Sequence, residues 1–365
     1  MLQIPHCRAR QKRLLAKMAE RKLDAVVSGL SHHVYYLTGH YTWWQHFSGA
    51  ILFADGTMWL TTANQPAKEV AADQITSYEA QWYATLRQEQ PAVIAAQISA
   101  KLTEKRAIRV GLDTSAVTAQ VKIPQGGKKE WIDTDFWQLR RRKDPDELDL
   151  MKTAIRCTEA MYRRASEIVV PGVSELEVFT ELNKAAVITA KEPLSALLGN
   201  DYACAVPGGP ARGDRRAQAG EIYILDLGPV YRGYFSDNCR SFSVDRKPTD
   251  EQMKAWESVV GAIRVVEQMA RPGVRCRDIF NAVDEHFKLL WSDGMTHHLG
   301  HGVGLQPHEY PHLNPHWDDV LIEGEIFTAE PGKYFPALRA GIRLENDYLV
   351  TANGVTNLLN FPLDL

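Results

Sequence analysis

Residues 220–242 have the sequence GEIYILDLGPVYRGYFSDNCRSF, which is typical of a strand, a short loop and a returning strand. Each predicted strand carries an acidic residue where an apolar residue is expected, Asp226 on the first strand and Asp237 on the second. A carboxylate inside an apolar strand is costly to bury unless a positive charge neutralises it. These two positions therefore indicate a cation site.

A second acidic hairpin follows later in the same chain. Residues 324–346 begin with GEIFTAEPG and end with GIRLEN, and they repeat the pattern of glycines and acids found in residues 220–242. Glu330 takes the place of the first acid, and Glu345 takes the place of the second. Because duplicated halves that stack on each other bring corresponding residues together, we expect the four carboxylates to share one site.

Each acidic hairpin follows a similar helical segment. The sequences VPGVSELEVF, residues 170–179, and RPGVRCRDIF, residues 271–280, share a Pro-Gly-Val start and end in Phe. A long helix is predicted before each of them, and the second of these helices is capped by Thr249 with Gln252 three residues on. The repeat predicts an α+β domain whose two halves are related by a pseudo-twofold axis.

The domain boundary is predicted where this repeat begins. Asp144 and Glu147 match a capping box, so we expect a long helix that runs to about Val169. We therefore assign residues 1–142 to an N-terminal domain and residues 143–365 to a second domain.

The N-terminal domain is predicted to be a small α/β unit. Helices are expected at residues 8–22 and 90–104, and a hairpin is expected to turn at Asp55 and Gly56. Between the predicted strands, the sequence YTWWQHF contains Trp43 and Trp44. These aromatic side chains are interpreted either as a core or dimer contact or as the wall of a substrate cleft.

Composition excludes some classes of protein. The chain has 365 residues, of which 45% are hydrophobic and 24% charged, and its net charge is −3. This balance predicts no attraction to nucleic acid or to an anionic membrane. The five cysteines have no C-x-x-C spacing, which is typical of reduced thiols, and no apolar run approaches the ~20 residues of a membrane helix. We expect a cytoplasmic protein.

Several histidines lie between the two acidic hairpins. Residues 296–312 have the sequence THHLGHGVGLQPHEYPH, which contains five of them. Carboxylates combined with one or two imidazoles suit Mn²⁺, Co²⁺ or Zn²⁺. Two such ions can hold a hydroxide at neutral pH and polarise a carbonyl group, so the pattern predicts a dinuclear metal site with hydrolytic chemistry.

These motifs resemble the creatinase/methionine aminopeptidase family, which has the "pita-bread" fold. The likeness is to the Xaa-Pro dipeptidase (prolidase) and Xaa-Pro aminopeptidase branch, and it spans residues 144–365. Residues 1–142 resemble the N-terminal domain of prolidases and creatinases. The family has five metal ligands, and the matching residues here are Asp226, Asp237, His301 in GHGVG, Glu330 in AEPG and Glu345 in RLEND.

The resemblance implies further roles. Glu330 would also carry the proton of the attacking water, while Asp237 and Glu345 would bridge both ions. His308 matches a histidine that contacts the substrate and the reaction intermediate, and His297 matches one that lines the specificity pocket. Arg343 matches an arginine near the metals, and it is interpreted either as a catalytic residue or as a charge partner of the carboxylates. Three other histidines have no counterpart and are expected in loops or at the surface: His298, His312 and His316.

One position departs from the family pattern. Family peptidases carry a histidine on a flap before the first ligand strand, and this position falls at Gly208, within a histidine-free stretch that extends from Lys191 to Asp226. The same segment contains Arg212 and Arg215. It is interpreted either as a mobile basic loop or as a flap that binds an anionic substrate group.

Three functions remain open from the sequence. The first is a dinuclear-metal peptidase that cleaves the bond before proline in a short peptide, as a homodimer, with Mn²⁺ as the expected metal. The second is a small-molecule C–N hydrolase of the same fold, similar to creatinase or ectoine hydrolase, which the missing flap histidine favours. The third is a binding module without catalysis, but such relatives tend to lose metal ligands and this chain has all five.

Overall fold

A computed structural model describes the backbone of residues 1–365 and the side chains of all residues except 196–200. The chain divides into two compact units, Met1–Arg140 and Arg141–Leu365. None of the helices among the described residues is both long enough and apolar enough to cross a membrane. The five cysteines are all buried free thiols.

The first unit has an α/β structure. Its helices are α1 (Ile4–Arg21), α2 (Ser31–Thr38), α3 (Gln90–Glu104) and α4 (Asp133–Arg141). Its strands are β1 (Ala25–Ser28), β2 (Gly49–Phe53), β3 (Met58–Ala63), β4 (Gln74–Tyr78), β5 (Gln81–Trp82), β6 (Thr85–Leu86), β7 (Arg109–Leu112) and β8 (Lys128–Trp131).

A six-stranded mixed sheet organises this unit, in the order β4-β3-β2-β1-β7-β8. The pairs β1–β2 and β2–β3 are antiparallel. The pairs β3–β4, β1–β7 and β7–β8 are parallel. The predicted hairpin turn is confirmed, since the Gly56 amide donates to the Phe53 carbonyl between β2 and β3. Helix α3 has the predicted bounds, while α1 begins four residues early because Pro5 suits a first helical turn.

The second unit alternates helix pairs with strands. Its helices are α5 (Pro145–Ile168), α6 (Glu175–Ala190), α7 (Asp250–Met269) and α8 (Cys276–Lys288). Its strands are β9 (Ala196–Asp201), β10 (Ile222–Tyr231), β11 (Tyr234–Phe235), β12 (Asn238–Ser243), β13 (Gly300–Gly302), β14 (Glu309–Leu313), β15 (Ile326–Ala329), β16 (Gly332–Lys333), β17 (Ile342–Arg343), β18 (Asn346–Thr351) and β19 (Gly354–Asn357).

The predicted internal repeat is confirmed by the order of these elements. Two helices precede each group of strands, and both predicted capping boxes form, at Asp144 before α5 and at Thr249 before α7. Strands β9–β12 form one sheet, and the order β14-β13-β15-β18-β19 defines the other. Cys239 and Glu345 pair across the two halves, with the Glu345 amide 3.0 Å from the Cys239 carbonyl oxygen.

Of the four hairpin acids, one lies within a strand and three lie just outside the end of a strand. Asp226 lies inside β10, as predicted, and faces Cys239 of β12 in register. Asp237 immediately precedes β12, Glu330 follows β15, and Glu345 lies between β17 and β18. At strand ends a carboxylate can turn toward a shared cavity without displacing an apolar side chain of the core.

Candidate metal centre

Residues from both halves of the second unit form a buried acidic site. Asp237, His301 and Glu345 each offer a ligand atom, and these atoms lie within 4.8 Å of one another. His301 Nε2 lies 3.6 Å from Glu330 Oε1 and 3.8 Å from Asp237 Oδ2. All these side chains are buried, as is that of Asp226. The structure therefore brings together the five residues that the resemblance indicated.

Two buried carboxylate oxygen atoms without a hydrogen-bond partner indicate that this site binds a metal ion. Asp226 Oδ1 and Glu345 Oε2 are buried and have no hydrogen-bond partner among the described residues. A buried carboxylate oxygen without a partner is unfavourable in a folded protein unless it coordinates an ion. Because oxygen ligands predominate and His301 adds one imidazole, the donor set suits a hard or borderline divalent cation.

The acids affect one another strongly in the metal-free protein. Burial raises the pKa of Asp237 well above its usual value, and the charge of Asp226 adds to this shift. Burial and the charge of Asp237 likewise raise the pKa of Glu345. The pKa of Asp226 rises to about 6, because burial outweighs the nearby Arg343 guanidinium. These carboxyl groups therefore need a cation in order to be ionised together at neutral pH.

Glu330 has the opposite electrostatic environment. Burial disfavours its ionised form, but a hydrogen bond from His298 and the neighbouring imidazoles lower its pKa to about 2. The His298 Nε2 atom lies 3.0 Å from Glu330 Oε1. His298 was expected in a loop or at the surface. It does lie in a loop, but its side chain is half-buried at the site, and the family pattern gave no signal for it.

Two other histidines line the same region. His308 is exposed and stacks on His301 with ring centroids 3.7 Å apart. His297 is half-buried, and its Nε2 lies 3.0 Å from the Tyr334 hydroxyl. Burial lowers the pKa of His297, so this ring is neutral at physiological pH. Tyr334 had not been identified from the sequence.

Arg343 connects this region to the first acidic hairpin. Its Nη2 donates to Asp226 Oδ2 at 2.8 Å and also to a carboxylate oxygen of Asp201. Its Nη1 lies 3.3 Å from the Tyr334 hydroxyl and 3.3 Å from the Pro207 carbonyl oxygen. A guanidinium group held by two carboxylates is a charge partner, which is one of the two roles considered for Arg343. Asp201 had not been identified from the sequence either.

The flap arginines have partners within the protein. Arg212 Nη2 lies 2.6 Å from Glu175 Oε1, and the Arg212 amide donates to the same carboxylate at 2.7 Å. Arg215 pairs with Glu221. Each guanidinium group is thus held by an acid of its own domain, and a role for Arg212 and Arg215 in binding substrate stays a prediction.

The two tryptophans belong to the first unit. Trp43 is 52% exposed and Trp44 is 80% exposed, so neither side chain is part of the core of that unit. Of the alternatives considered for them, this exposure leaves a contact surface or a cleft wall. Their contribution to a substrate cleft stays a prediction.

The fold and the acidic site together define a metal-dependent hydrolase of the pita-bread class. The chain belongs to the metallopeptidase family M24, whose sequence pattern matches residues 149–352, and the creatinase/prolidase N-terminal domain matches residues 10–139. The predicted family and fold class are therefore confirmed.

Similar proteins agree with this family assignment. Over 237 residues the chain is 30% identical to a Xaa-Pro dipeptidase of Pyrococcus furiosus, a match that covers 64% of this chain and 67% of the relative. A solved Xaa-Pro dipeptidase from Bacillus anthracis superposes with a TM-score of 0.82 at 22% identity, over 98% of this chain and 99% of the other. An X-Pro aminopeptidase from Thermotoga maritima gives a TM-score of 0.78 at 22% identity, over 97% and 98%. The two structures share the fold of this chain.

Proposed function

We propose that this protein is a dinuclear-metal peptidase that cleaves the bond before proline in a dipeptide or short peptide. The observation that carries the proposal is the buried cluster of His301 with carboxylates from two repeated hairpins. The cluster occurs in a chain that is 30% identical to a Xaa-Pro dipeptidase. Dipeptidase and aminopeptidase structures share the fold of this chain, and both dipeptides and tripeptides are therefore candidate substrates.

Five side chains would hold the two ions: Asp226, Asp237, His301, Glu330 and Glu345. Their oxygen-rich donor set favours Mn²⁺, with Co²⁺ or Zn²⁺ as the other candidates. When bound, two such ions lower the pKa of water toward neutrality and polarise the carbonyl of the scissile bond.

Glu330 is the proposed proton carrier. With a pKa of about 2 it is ionised at neutral pH, so it can accept the proton of the attacking water and return it to the leaving proline nitrogen. The hydrogen bond from His298 orients this carboxylate and favours its ionised form.

The remaining histidines are proposed to act on the substrate. His308 is exposed beside His301, where its imidazole can donate a hydrogen bond to the carbonyl oxygen as negative charge develops. His297 is oriented by Tyr334, which supports a role in contacting the bound peptide. For Arg343, the bond to Asp226 supports the role of charge partner.

The test is release of free proline by protein loaded with Mn²⁺, Co²⁺ or Zn²⁺. Xaa-Pro dipeptides, Xaa-Pro-Xaa tripeptides and dipeptides without proline form the panel. Preference for dipeptides would indicate a dipeptidase, and preference for tripeptides would indicate an aminopeptidase. Metal-loaded protein that cleaves none of them would contradict the proposal.

A second candidate is a C–N hydrolase that acts on a small molecule. The sequence between Lys191 and Asp226 contains no histidine, although family peptidases carry one on this flap. Turnover of amidines or cyclic ureido acids, together with inactivity on every Xaa-Pro peptide, would favour this alternative.

Further features of the proposal concern the domains, the assembly and the location of the protein. We propose residues 1–142 and 143–365 as the functional domains, and a homodimer in which Trp43 and Trp44 contribute to the substrate cleft. Arg212 and Arg215 are proposed to contact an anionic end of the substrate.

A cytoplasmic location is proposed, and the five buried free thiols support it. The binding partner is proposed to be a short peptide, and neither nucleic acid nor a membrane is involved.

A further inference from the structure

Asp201 has no role in the mechanism described so far, yet it lies beside the candidate metal centre. It ends strand β9 and pairs in register with Asp226 on β10. Its side chain is 17% exposed, so it is largely withdrawn from water. One carboxylate oxygen accepts from the Gly209 amide at 2.6 Å, and the other accepts from Arg343 Nη2.

Arg343 is thereby shared between two carboxylates. The same Nη2 atom that binds Asp201 lies 2.8 Å from Asp226 Oδ2, while Asp226 Oδ1 has no partner among the described residues. One oxygen of Asp226 is thus occupied by the guanidinium group, and the other is left for an ion. Without the charge of Asp201, the guanidinium group would be balanced by Asp226 alone and would oppose a cation there more strongly.

Asp201 also explains why position 208 is glycine. A Cβ atom at Gly208 would lie 2.6 Å from both carboxylate oxygens of Asp201, closer than real contacts allow. Those oxygens are held by the Gly209 amide and by Arg343, so they cannot move aside cheaply. Gly208 is not among the glycines with a positive φ. The lack of space, and not backbone strain, therefore requires glycine at this position.

We propose that Asp201 is a positioning residue that holds Arg343 against Asp226, and that it occupies the space a flap side chain at position 208 would need. This inference rests on the proposed function, because it takes Asp226 to be a metal ligand. It accounts for the missing flap histidine, because Asp201 leaves no space for a side chain at position 208. Any side chain larger than that of Gly208 would therefore require the loss of Asp201.

The first test is Mn²⁺ affinity, measured by equilibrium dialysis on the full chain. We expect Asp201→Asn to bind Mn²⁺ on the order of 10-fold more weakly, as for other residues that support a metal ligand. Asp201→Glu should recover part of this loss. The matched control is Asp214→Asn, which removes an exposed carboxylate from the same segment and should bind as the wild type does. Equal affinity in Asp201→Asn and wild type would overturn the positioning role.

The second test measures the linkage between positions 201 and 208 by thermal unfolding without metal. Gly208→Ala should lower the Tm of the wild type and have little effect in an Asp201→Ala background. An equal fall in both backgrounds would overturn the steric part of the proposal. If the wild type bound no Mn²⁺, the proposed function would fail. The comparison of Tm values in the two backgrounds would still decide whether Asp201 occupies the space at position 208.

Discussion

The two acidic hairpins share one sequence pattern but give their first acids opposite environments. In the first hairpin, Asp226 is bonded to Arg343, and burial still raises its pKa to about 6. In the second, Glu330 is bonded to His298, and its pKa falls to about 2 despite burial. The repeat therefore sets where the carboxylates lie, while residues that are not repeated decide their chemistry.

The source of this asymmetry can be read from the alignment of the two hairpins. Arg343 lies two residues after Gly341, and the corresponding residue after Gly233 is Phe235. The second hairpin thus supplies an arginine to an acid of the first, and the first supplies none in return. In the proposed mechanism, the duplicated halves thus give one ligand that only binds metal, Asp226, and another that also carries a proton, Glu330.

Loss of an acid that is proposed to bridge both ions should have the largest effect. Asp237→Ala is expected to lose metal and to reduce kcat/KM for a Xaa-Pro dipeptide by about 10³-fold or more, because the water is then no longer activated. Glu345→Ala, its counterpart in the second hairpin, should behave in the same way. Metal counting and proline release measure both effects. Turnover retained by a metal-free Asp237→Ala preparation would refute a metal-dependent reaction at this site.

Removing the charge of the first acid of each hairpin should separate their roles. Glu330→Gln is expected to lower kcat by roughly 10²- to 10⁴-fold, as loss of a general acid–base does, while much of the metal is retained. Asp226→Asn should mainly weaken metal binding and recover activity as Mn²⁺ is raised. Steady-state kinetics over a Mn²⁺ series distinguishes the two. Recovery of Glu330→Gln by excess Mn²⁺ would show that Glu330 is only a ligand.

Removing the histidine that bonds to the first acid of the second hairpin should reduce the difference between the first acids of the two hairpins. In His298→Ala, the hydrogen bond that lowers the pKa of Glu330 is lost, so this pKa should rise. The acid limb of the kcat profile should then move to higher pH, with a fall in kcat of about 10-fold at its maximum. His316→Ala, at an exposed loop position, is the matched control. An acid limb that does not move would show that His298 does not set the protonation of Glu330.

The smallest expected effect concerns stability without metal. The pKa of Asp347 is raised to about 8 by burial, and those of Asp237 and Glu345 are raised as well. The folded metal-free protein therefore holds protons that the unfolded chain has released, and this stabilisation is lost as pH rises through the folded pKa values. Between pH 6.5 and 8 we expect the free energy of unfolding to fall by up to about 1.4 kcal/mol per pH unit for each such proton.

Thermal unfolding at pH 6.5, 7.25 and 8 measures this trend. The Tm of the metal-free protein should fall by a few degrees, whereas saturating Mn²⁺ should reduce or reverse the fall, since ligand deprotonation then favours binding. A metal-free Tm that rises over this range would show that the acids are not protonated in the folded state.

Much of this architecture could be predicted because repeats and caps are local signals. The pattern of Asp226 and Glu330, the capping box at Asp144 and the spacing around His301 each occur within a short stretch of sequence. The contacts of Asp201, His298 and Tyr334 could not be predicted, because they join segments that are distant in the chain. Asp201 and Arg343, for example, are 142 residues apart.

The strand ends show a second limit of sequence reasoning. Asp237, Glu330 and Glu345 were expected within strands of the two hairpins, but all three lie just outside the strand bounds. Hydrophobic patterning indicates which residues are buried, whereas a strand ends where its hydrogen-bond ladder ends, and this depends on the partner strand.

We propose that the two repeated hairpins share one dinuclear site. The measurement that decides this is the number of tightly bound Mn²⁺ ions per chain in wild type, Asp237→Asn and Glu345→Gln, with proline release measured on the same samples. We expect about two ions and turnover in wild type, and a parallel loss of both from either variant, because each hairpin is proposed to supply one bridging carboxylate. A variant that lost only one ion while the other stayed tightly bound would show that the hairpins form two separate metal sites.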